Sequence, residues 1–272
     1  MTRSEKFSIV HLSDVHATMG ELLYGQVDGV ARLEQVGEYV AAAGVTPEAV
    51  IVTGDLAQRG HSAAYPAIDR ALAALGERVG APVFTVLGNH DVRADARVLD
   101  GHHDGHYRVV TVGDMRIVLL DSSTGEIDDE QLEWLTTTVA EPFGAGTIVA
   151  VHHAPVPSPL PALSKIGLRE PERFAAALEG SDVRVILAGH YHHPMTALFH
   201  GLPVSVGPSL AYHQIMNAGP WAVSGQDLAM FSLVQITADQ VSTAPVSLQP
   251  ASPLFSTPVS SVSSTTATIR KS

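Results

Sequence analysis

The chemistry of this 272-residue chain is concentrated in five short blocks: Asp14-Val15-His16, Gly54-Asp55, Gly88-Asn89-His90-Asp91, His152-His153 and Gly189-His190-Tyr191-His192. Imidazole, carboxylate and carboxamide are metal-donor types, and the chain carries 14 histidines and no cysteine. Thiolate zinc sites, iron–sulfur clusters, disulfides and cysteine nucleophiles are therefore excluded together. Asp14, His16, Asp55, Asn89, His152, His190 and His192 are more donors than one tetrahedral ion takes, and they suit two ions sharing a bridging carboxylate. A sulfur-free set favours Zn²⁺, Mn²⁺ or Fe over Cu(I), and its histidines argue against a pure Mg²⁺ or Ca²⁺ cage.

Such residues do chemistry only if separate elements bring them to one place. Six short apolar segments, 7–12, 49–53, 83–87, 116–120, 147–151 and 183–188, read as strands buried on both faces. All but the fourth run directly into one of the five blocks. Amphipathic patterns over 30–43, 65–75, 128–139 and 171–178 read as helices, the third opening on acidic residues that favour a helix N-terminus. Alternation of strand and helix predicts an α/β layered fold with a largely parallel central sheet, whose carboxyl-terminal strand ends form the ligand crevice. Asp14 and His16 are two apart, as are His190 and His192, so in extended backbone both members of each pair point the same way. The glycines before Asp55, Asn89 and His190 permit sharp turns there. Residues 202–206 and 231–237 add strand-like pieces, and no helix is expected between 196 and 246.

Composition narrows the partners. The balance of 28 acidic and 16 basic residues, a formal net charge of −12, gives no footprint for nucleic acid. No stretch approaches the length of a membrane span, and the N-terminus lacks the apolar core of a secretory signal, so a cytoplasmic protein is expected. Residues 243–272, rich in Ser, Thr and Pro, read as a tail following a body of residues 1–242.

The five blocks, in this order over residues 7 to 195, resemble the calcineurin-like binuclear metallophosphoesterases. Leu23-Tyr24-Gly25 and the stretch from Met115 to Leu135 are most similar to the bacterial class III cyclic-nucleotide phosphodiesterases. The resemblance implies a four-layer αββα sandwich. It implies that Asp14, His16 and His192 hold a first metal, often iron, and that Asn89, His152 and His190 hold a second, often manganese, with Asp55 bridging. Mn/Mn, Zn or Co are alternative fillings. His90 is implied as a non-ligand that reaches the phosphate and stabilises or protonates the leaving oxygen, with Asp91 orienting its ring. The block Val151-His152-His153-Ala154-Pro155 departs from the Gly-His-His-x-Pro of relatives outside the ligand itself. A homodimer is the assembly the likeness suggests, with residues 196–242 as its interface or as a pocket cap.

The implied activity is hydrolysis of cyclic nucleotides or similar small phosphodiesters by a metal-bridging hydroxide. Two carboxylates and two divalent ions leave the site about +2 before that hydroxide binds, enough to attract a phosphodiester anion because distant surface charge is screened beyond ~8 Å. A phosphomonoesterase, for which Arg59 and Arg93 are candidate extra charges, a glycerophosphodiesterase and a non-catalytic metal-binding scaffold stay open as alternatives. Of the other histidines, His61, His102, His103, His106 and His200 are expected on solvated loops, and His11 as a hydrogen-bonded residue of the first strand. His153, His193 and His213, the last beside Tyr212 and ahead of Asn217, stay open between the pocket and no role.

Overall fold

Alternation within strands that are buried on both faces builds the layers. The structure is a computed structural model that describes residues 6–219, 221–250 and 252–255. The first strands are β1 (Lys6–Leu12), β2 (Ala49–Thr53) and β3 (Val83–Val86), followed by β4 (Arg108–Val112), β5 (Met115–Leu119), β6 (Gly146–Ala150) and β7 (Val183–Ala188). The chain continues through β8 (Met195–Phe199), β9 (Leu202–Val206), the two-residue strands β10 (His213–Gln214) and β11 (Gly225–Gln226), then β12 (Met230–Thr237) and β13 (Val241–Ser247). The helices are α1 (Gly29–Ala42), α2 (Tyr65–Val79), α3 (Asp129–Val139) and α4 (Pro171–Ala177). One sheet runs β13-β12-β1-β2-β3 and the other β4-β5-β6-β7-β9-β8, with β10 and β11 pairing as a separate ribbon.

Val10, Leu12, Val50 and Val52 point from the first sheet onto Leu33, Val36 and Val40 of α1 and onto Ile68, Leu72 and Leu75 of α2. Their neighbours Ile9 and Ile51 point the other way and meet Ile117, Leu119, Ile148, Val185 and Leu187 of the second sheet. That sheet's far face, with Val118, Val149 and Ile186, packs on Leu132, Leu135 and Val139 of α3 and Phe174 of α4. The result is helix, sheet, sheet, helix. The single central sheet expected from alternation is thus two mixed sheets: a strand apolar on both faces does not record whether its far side meets a helix or another sheet.

Helix starts follow the expected chemistry. Asp28 caps α1 by accepting from Ala31 N at 3.0 Å, and Asp128 caps α3 by accepting from Gln131 N at 2.9 Å.

Three further strands lacked a clear apolar signal. β4 and β8 alternate between half-buried and exposed positions along most of their length. β13 is built from Ser, Thr, Ala, Pro and Val, pairs antiparallel with β12 and carries Pro245 on an edge, where a missing N–H is tolerated. The body therefore continues through Ser247 rather than ending at residue 242, and positions 256–272 of the expected tail lie outside the described residues. The 196–242 stretch is no separate cap, because β9 and β12 are interior strands of the two sheets. Among the described residues of that stretch, 207–219 and 221–229 form the longest excursion outside the two large sheets. No helix among the described residues is long and apolar enough to cross a membrane.

Candidate metal centre

At the ends of β1, β2, β3, β6 and β7 the five blocks meet. Asp14, His16, Asp55 and His192 form one group of donor atoms mutually within 4.8 Å, and His152, His153 and His190 form another. Asp55 Oδ2 links them, 3.6 Å from His16 Nε2 and 3.5 Å from His152 Nε2. Asn89 Oδ1 completes the second group, 3.2 Å from His152 Nε2. All seven expected donors are therefore in one neighbourhood, with His153 a further ring beside them.

Backbone strain holds the donors there. Asp14, His16, Asp55, His190 and His192 all have positive φ, between 47° and 74°. Left-handed backbone costs a non-glycine residue about 1–2 kcal/mol and persists where surroundings over-determine it. Here the β1 and β2 loops are laced together, Asp14 N donating to Gly54 O, His16 N to Asp55 O and Ala17 N to Leu56 O, all within 3.0 Å. The two-residue spacings thus work through left-handed rather than extended backbone, since each chain must curl at its strand end to present successive donors to one point. Gly54 has a φ of 88°, and a Cβ there would stand 2.5 Å from His152 Nδ1. Gly88 and Gly189 are needed for room more than for turning: a Cβ at either would collide with Asp55 Oδ1 or with Ser13 Oγ.

The outer nitrogen of each imidazole fixes which nitrogen faces inward. His152 Nδ1 meets Thr53 O at 2.7 Å, His192 Nδ1 meets Tyr212 O at 3.2 Å, and His16 Nδ1 meets Gln58 Oε1 at 2.8 Å. With those Nδ1–H groups donating, the three Nε2 lone pairs point to the centre. His190 points Nδ1 inward, 3.2 Å from His152 Nε2, while its buried Nε2 has no hydrogen-bond partner.

Asp14 and Asp55 are 0% and 2% exposed. Burial alone would raise their pKa values, but the electrostatic pull of His192 on Asp14 and of His152 on Asp55 holds both well below the usual carboxylate range. Burial pushes His16 and His190 down to about 4, so they stay neutral. His152 is pushed up to about 9 because Asp55 outweighs its desolvation. Two buried carboxylates, with the His16 and His190 rings beside them held neutral, call for compensating positive charge. Bare imidazole nitrogens 3.1–3.2 Å apart, as in His16 with His192 and His190 with His152, have the separation expected of donors sharing one ion at bond lengths of about 2.0–2.1 Å. The residues fit a pair of cations.

His90 is half-buried beside the donors. Its N donates to Asp55 Oδ1 at 2.7 Å, and its ring stands edge-on to His16 at 4.7 Å. Its Nδ1 meets Gln58 Oε1 at 3.0 Å, leaving Nε2 free, and burial lowers its pKa. Asp91 does not orient this ring. Its carboxylate accepts from Leu56 N, Ala57 N and Gly88 N and from the Tyr65 hydroxyl, all within 3.0 Å, and staples the β2 and β3 loops together. Burial, then the field of Asp55, pushes it up to about 6. Gln58, three residues after Asp55, takes the orienting role. Its distance along the chain from both rings hid it, and its place in the metal-bearing loop was the available signal.

The remaining histidines divide unevenly. His11 Nε2 bonds Thr53 Oγ1 at 2.9 Å inside the sheet, as expected. His61, His103 and His200 lie toward solvent, whereas His102 and His106 are buried against each other and Thr85. Loop histidines are solvated by default, and these two are not because their loop folds under β3. His153 is held by Ser122 Oγ at 3.1 Å and His193 by Ser158 Oγ at 2.9 Å, so His193 serves its loop. His213 belongs to the β10–β11 ribbon, and the neighbour that reaches the donors is Tyr212, whose ring lies 4.1 Å from His192.

The calcineurin-like phosphoesterase family matches residues 7–194. A probable cyclic nucleotide phosphodiesterase from Rhodococcus erythropolis is 41% identical over 231 residues, covering 82% of this chain and 77% of the relative. A cAMP/cGMP dual specificity phosphodiesterase from Mycobacterium tuberculosis is 37% identical over 246 residues, covering 86% and 77%. Among solved structures, a purple acid phosphatase from yellow lupin shares the fold at a TM-score of 0.62 and 14% identity, over 90% of this chain and 52% of that one. A dimetal phosphatase from Danio rerio does so at 0.56 and 14%, over 87% and 98%. By this match over most of its length, the chain belongs to the calcineurin-like phosphoesterase family, and it is a metal-dependent phosphoric ester hydrolase of the binuclear type.

Proposed function

We propose that the protein hydrolyses 3′,5′-cyclic nucleotides to nucleoside monophosphates. The observation that carries this reading is the pair of donor groups joined through Asp55 with His90 alongside, together with relatives named cyclic nucleotide phosphodiesterases. Asp14, His16 and His192 would hold one ion and Asn89, His152 and His190 the other, with Asp55 between them. Iron and manganese are the proposed pair. When bound, two such ions supply a nucleophile from water near neutral pH and polarise the phosphoryl oxygens.

The chain's own residues do the rest. Gln58 holds the His16 and His90 rings from one carboxamide oxygen. His90 presents Nε2 to the leaving oxygen; with Nδ1–H held by Gln58, it is the protonated ring that carries a second N–H there to stabilise that oxygen or hand it a proton. Asp91 keeps the two loops in register. Of the two candidate cations for a monoester dianion, Arg93 is paired with Asp121 at 3.1 Å, whereas Arg59 meets, among the described residues, only the Asn89 carbonyl at 3.4 Å, so the preference for a diester is drawn from the relatives and not from the charges. The protein is proposed to work in the cytoplasm and as a homodimer.

A substrate panel tests the reading. Protein reloaded with Mn²⁺ should cleave 3′,5′-cyclic AMP and a chromogenic diester well above a chromogenic monoester. Preference for the monoester would overturn it.

A further inference from the structure

Beside the donors lies a cavity of about 380 Å³ lined by Tyr24, Gln26, Val27, Tyr212, Gln226 and Asp227, among others. That volume is within the range of small-ligand sites. We infer that this cavity is a nucleobase subsite, in which Tyr24 and Tyr212 supply the stacking surface and Gln26 and Gln226 read the base edge. The inference rests on the phosphodiesterase reading above and adds to it the part of the substrate that the metal centre does not touch.

Tyr212 connects the two places. Its ring lies 4.1 Å from His192 and 5.9 Å from His16, and it also lines the cavity, so a group bound there stands one aromatic ring from the donors. The loop that carries it is tied to the site, with Ala211 N donating to Asp14 O at 3.0 Å and Ser209 Oγ to the same oxygen at 3.1 Å. Gly225 packs close against this ring, since a Cβ there would stand 2.5 Å from Tyr212 Cδ2.

Tyr24 stands edge-on to Tyr212 at 5.7 Å and is 70% exposed, with a φ of 52°. A large aromatic residue held in left-handed backbone and facing solvent contributes little to a core. It persists because its neighbours Leu23 and Val27 are buried against Ala211 and because Val27 N donates to Leu23 O at 3.0 Å. The turn between Leu23 and Val27 imposes this backbone and sets the Tyr24 ring on the lip of the cavity.

The polar lining selects a base over a cationic headgroup. Each glutamine carboxamide offers a donor and an acceptor, the pattern that a purine edge presents in return. Asp227 is already neutralised by Arg32, whose guanidinium also donates to the Leu210 and Ala211 carbonyls, so no free anionic charge is left for an ammonium group.

The test uses the full chain reloaded with Mn²⁺ and three substrates: 3′,5′-cyclic AMP, the base-free ribose 3′,5′-cyclic phosphate and glycerophosphocholine. Wild type should prefer cyclic AMP over the base-free ring by about tenfold or more in kcat/KM. Tyr24→Ala and Gln226→Ala should each erode that ratio, Tyr24→Ala by about tenfold and mainly through KM, while Tyr24→Phe keeps it because stacking needs only the ring. Equal turnover of the ring with and without its base, with diester activity intact, would overturn the subsite alone. Turnover of neither would remove both the subsite and the activity beneath it. Preference for glycerophosphocholine, lowered by the same variants, would overturn the base in favour of a headgroup.

Discussion

Gln58 holds two rings for which different duties are proposed, His16 belonging to a group that could hold a metal ion and His90 acting on the leaving oxygen. Replacing it with Ala should lower kcat by about 10–100-fold, the usual scale for losing an outer partner, while the candidate donors, all still present, keep most of the metal at saturating Mn²⁺. Metal analysis beside turnover checks this, and loss of metal in step with activity would place Gln58 in binding instead. Asp55 and His90 should separate in the same assay. Asp55 Oδ2 faces both donor groups, so Asp55→Asn should remove metal and activity together. His90→Ala should cost about 10²–10⁴ in kcat with metal content nearly intact. The gathering of the seven candidate donors in one place was readable because each follows an apolar strand closely. Gln58 and the staple formed by Asp91 were not, because only folding shows which side chain reaches which ring.

Among the elements, two that local pattern misjudged lend themselves to measurement. Burial, then Arg108, pushes His102 down to about 3, so the folded protein holds it neutral. The unfolded chain protonates it near 6.5. A lowered folded pKa means that its stabilising contribution is complete above 6.5 and fades as pH falls toward 3. Between pH 7.5 and 5 the wild type should lose about 2 kcal/mol more than His102→Gln, read from urea midpoints. Parallel pH profiles would contradict a neutral buried ring. β13 gives the second case. Val246 and Leu248 pack against the helix-facing core of the first sheet. A chain ending at Gln240 should therefore lose about 2 kcal/mol and melt roughly 4–8 °C lower, whereas one ending at Pro250 should keep its stability. Thermal melts of the two truncations decide. A Ser/Thr/Pro-rich strand looks like a tail because its pairing partner, not its side chains, makes it a strand.

For the molecule as a whole, the centre joins ends of both sheets, so metal occupancy should be felt globally. Chelation leaves Asp14 and Asp55 buried without compensating cations, and returning Mn²⁺ at about 100 times its Kd should stabilise the fold by about 2.7 kcal/mol, or roughly 5–10 °C. A melt indifferent to chelation and reloading would mean that no ion is held there. The net charge of −12 does not oppose this, because two buried carboxylates at the site outweigh screened surface charge. Residue order alone carried the donor types, their place after strands, the family and the absence of thiol chemistry, since those depend on composition and on spacing along one chain. The tertiary structure alone decided that the strands divide into two sheets, that five donors sit in left-handed backbone, which imidazole nitrogen faces inward, and that Tyr212 from a distant loop stands over His192. Those features depend on contacts between segments far apart in sequence, and such contacts leave no local periodicity to read.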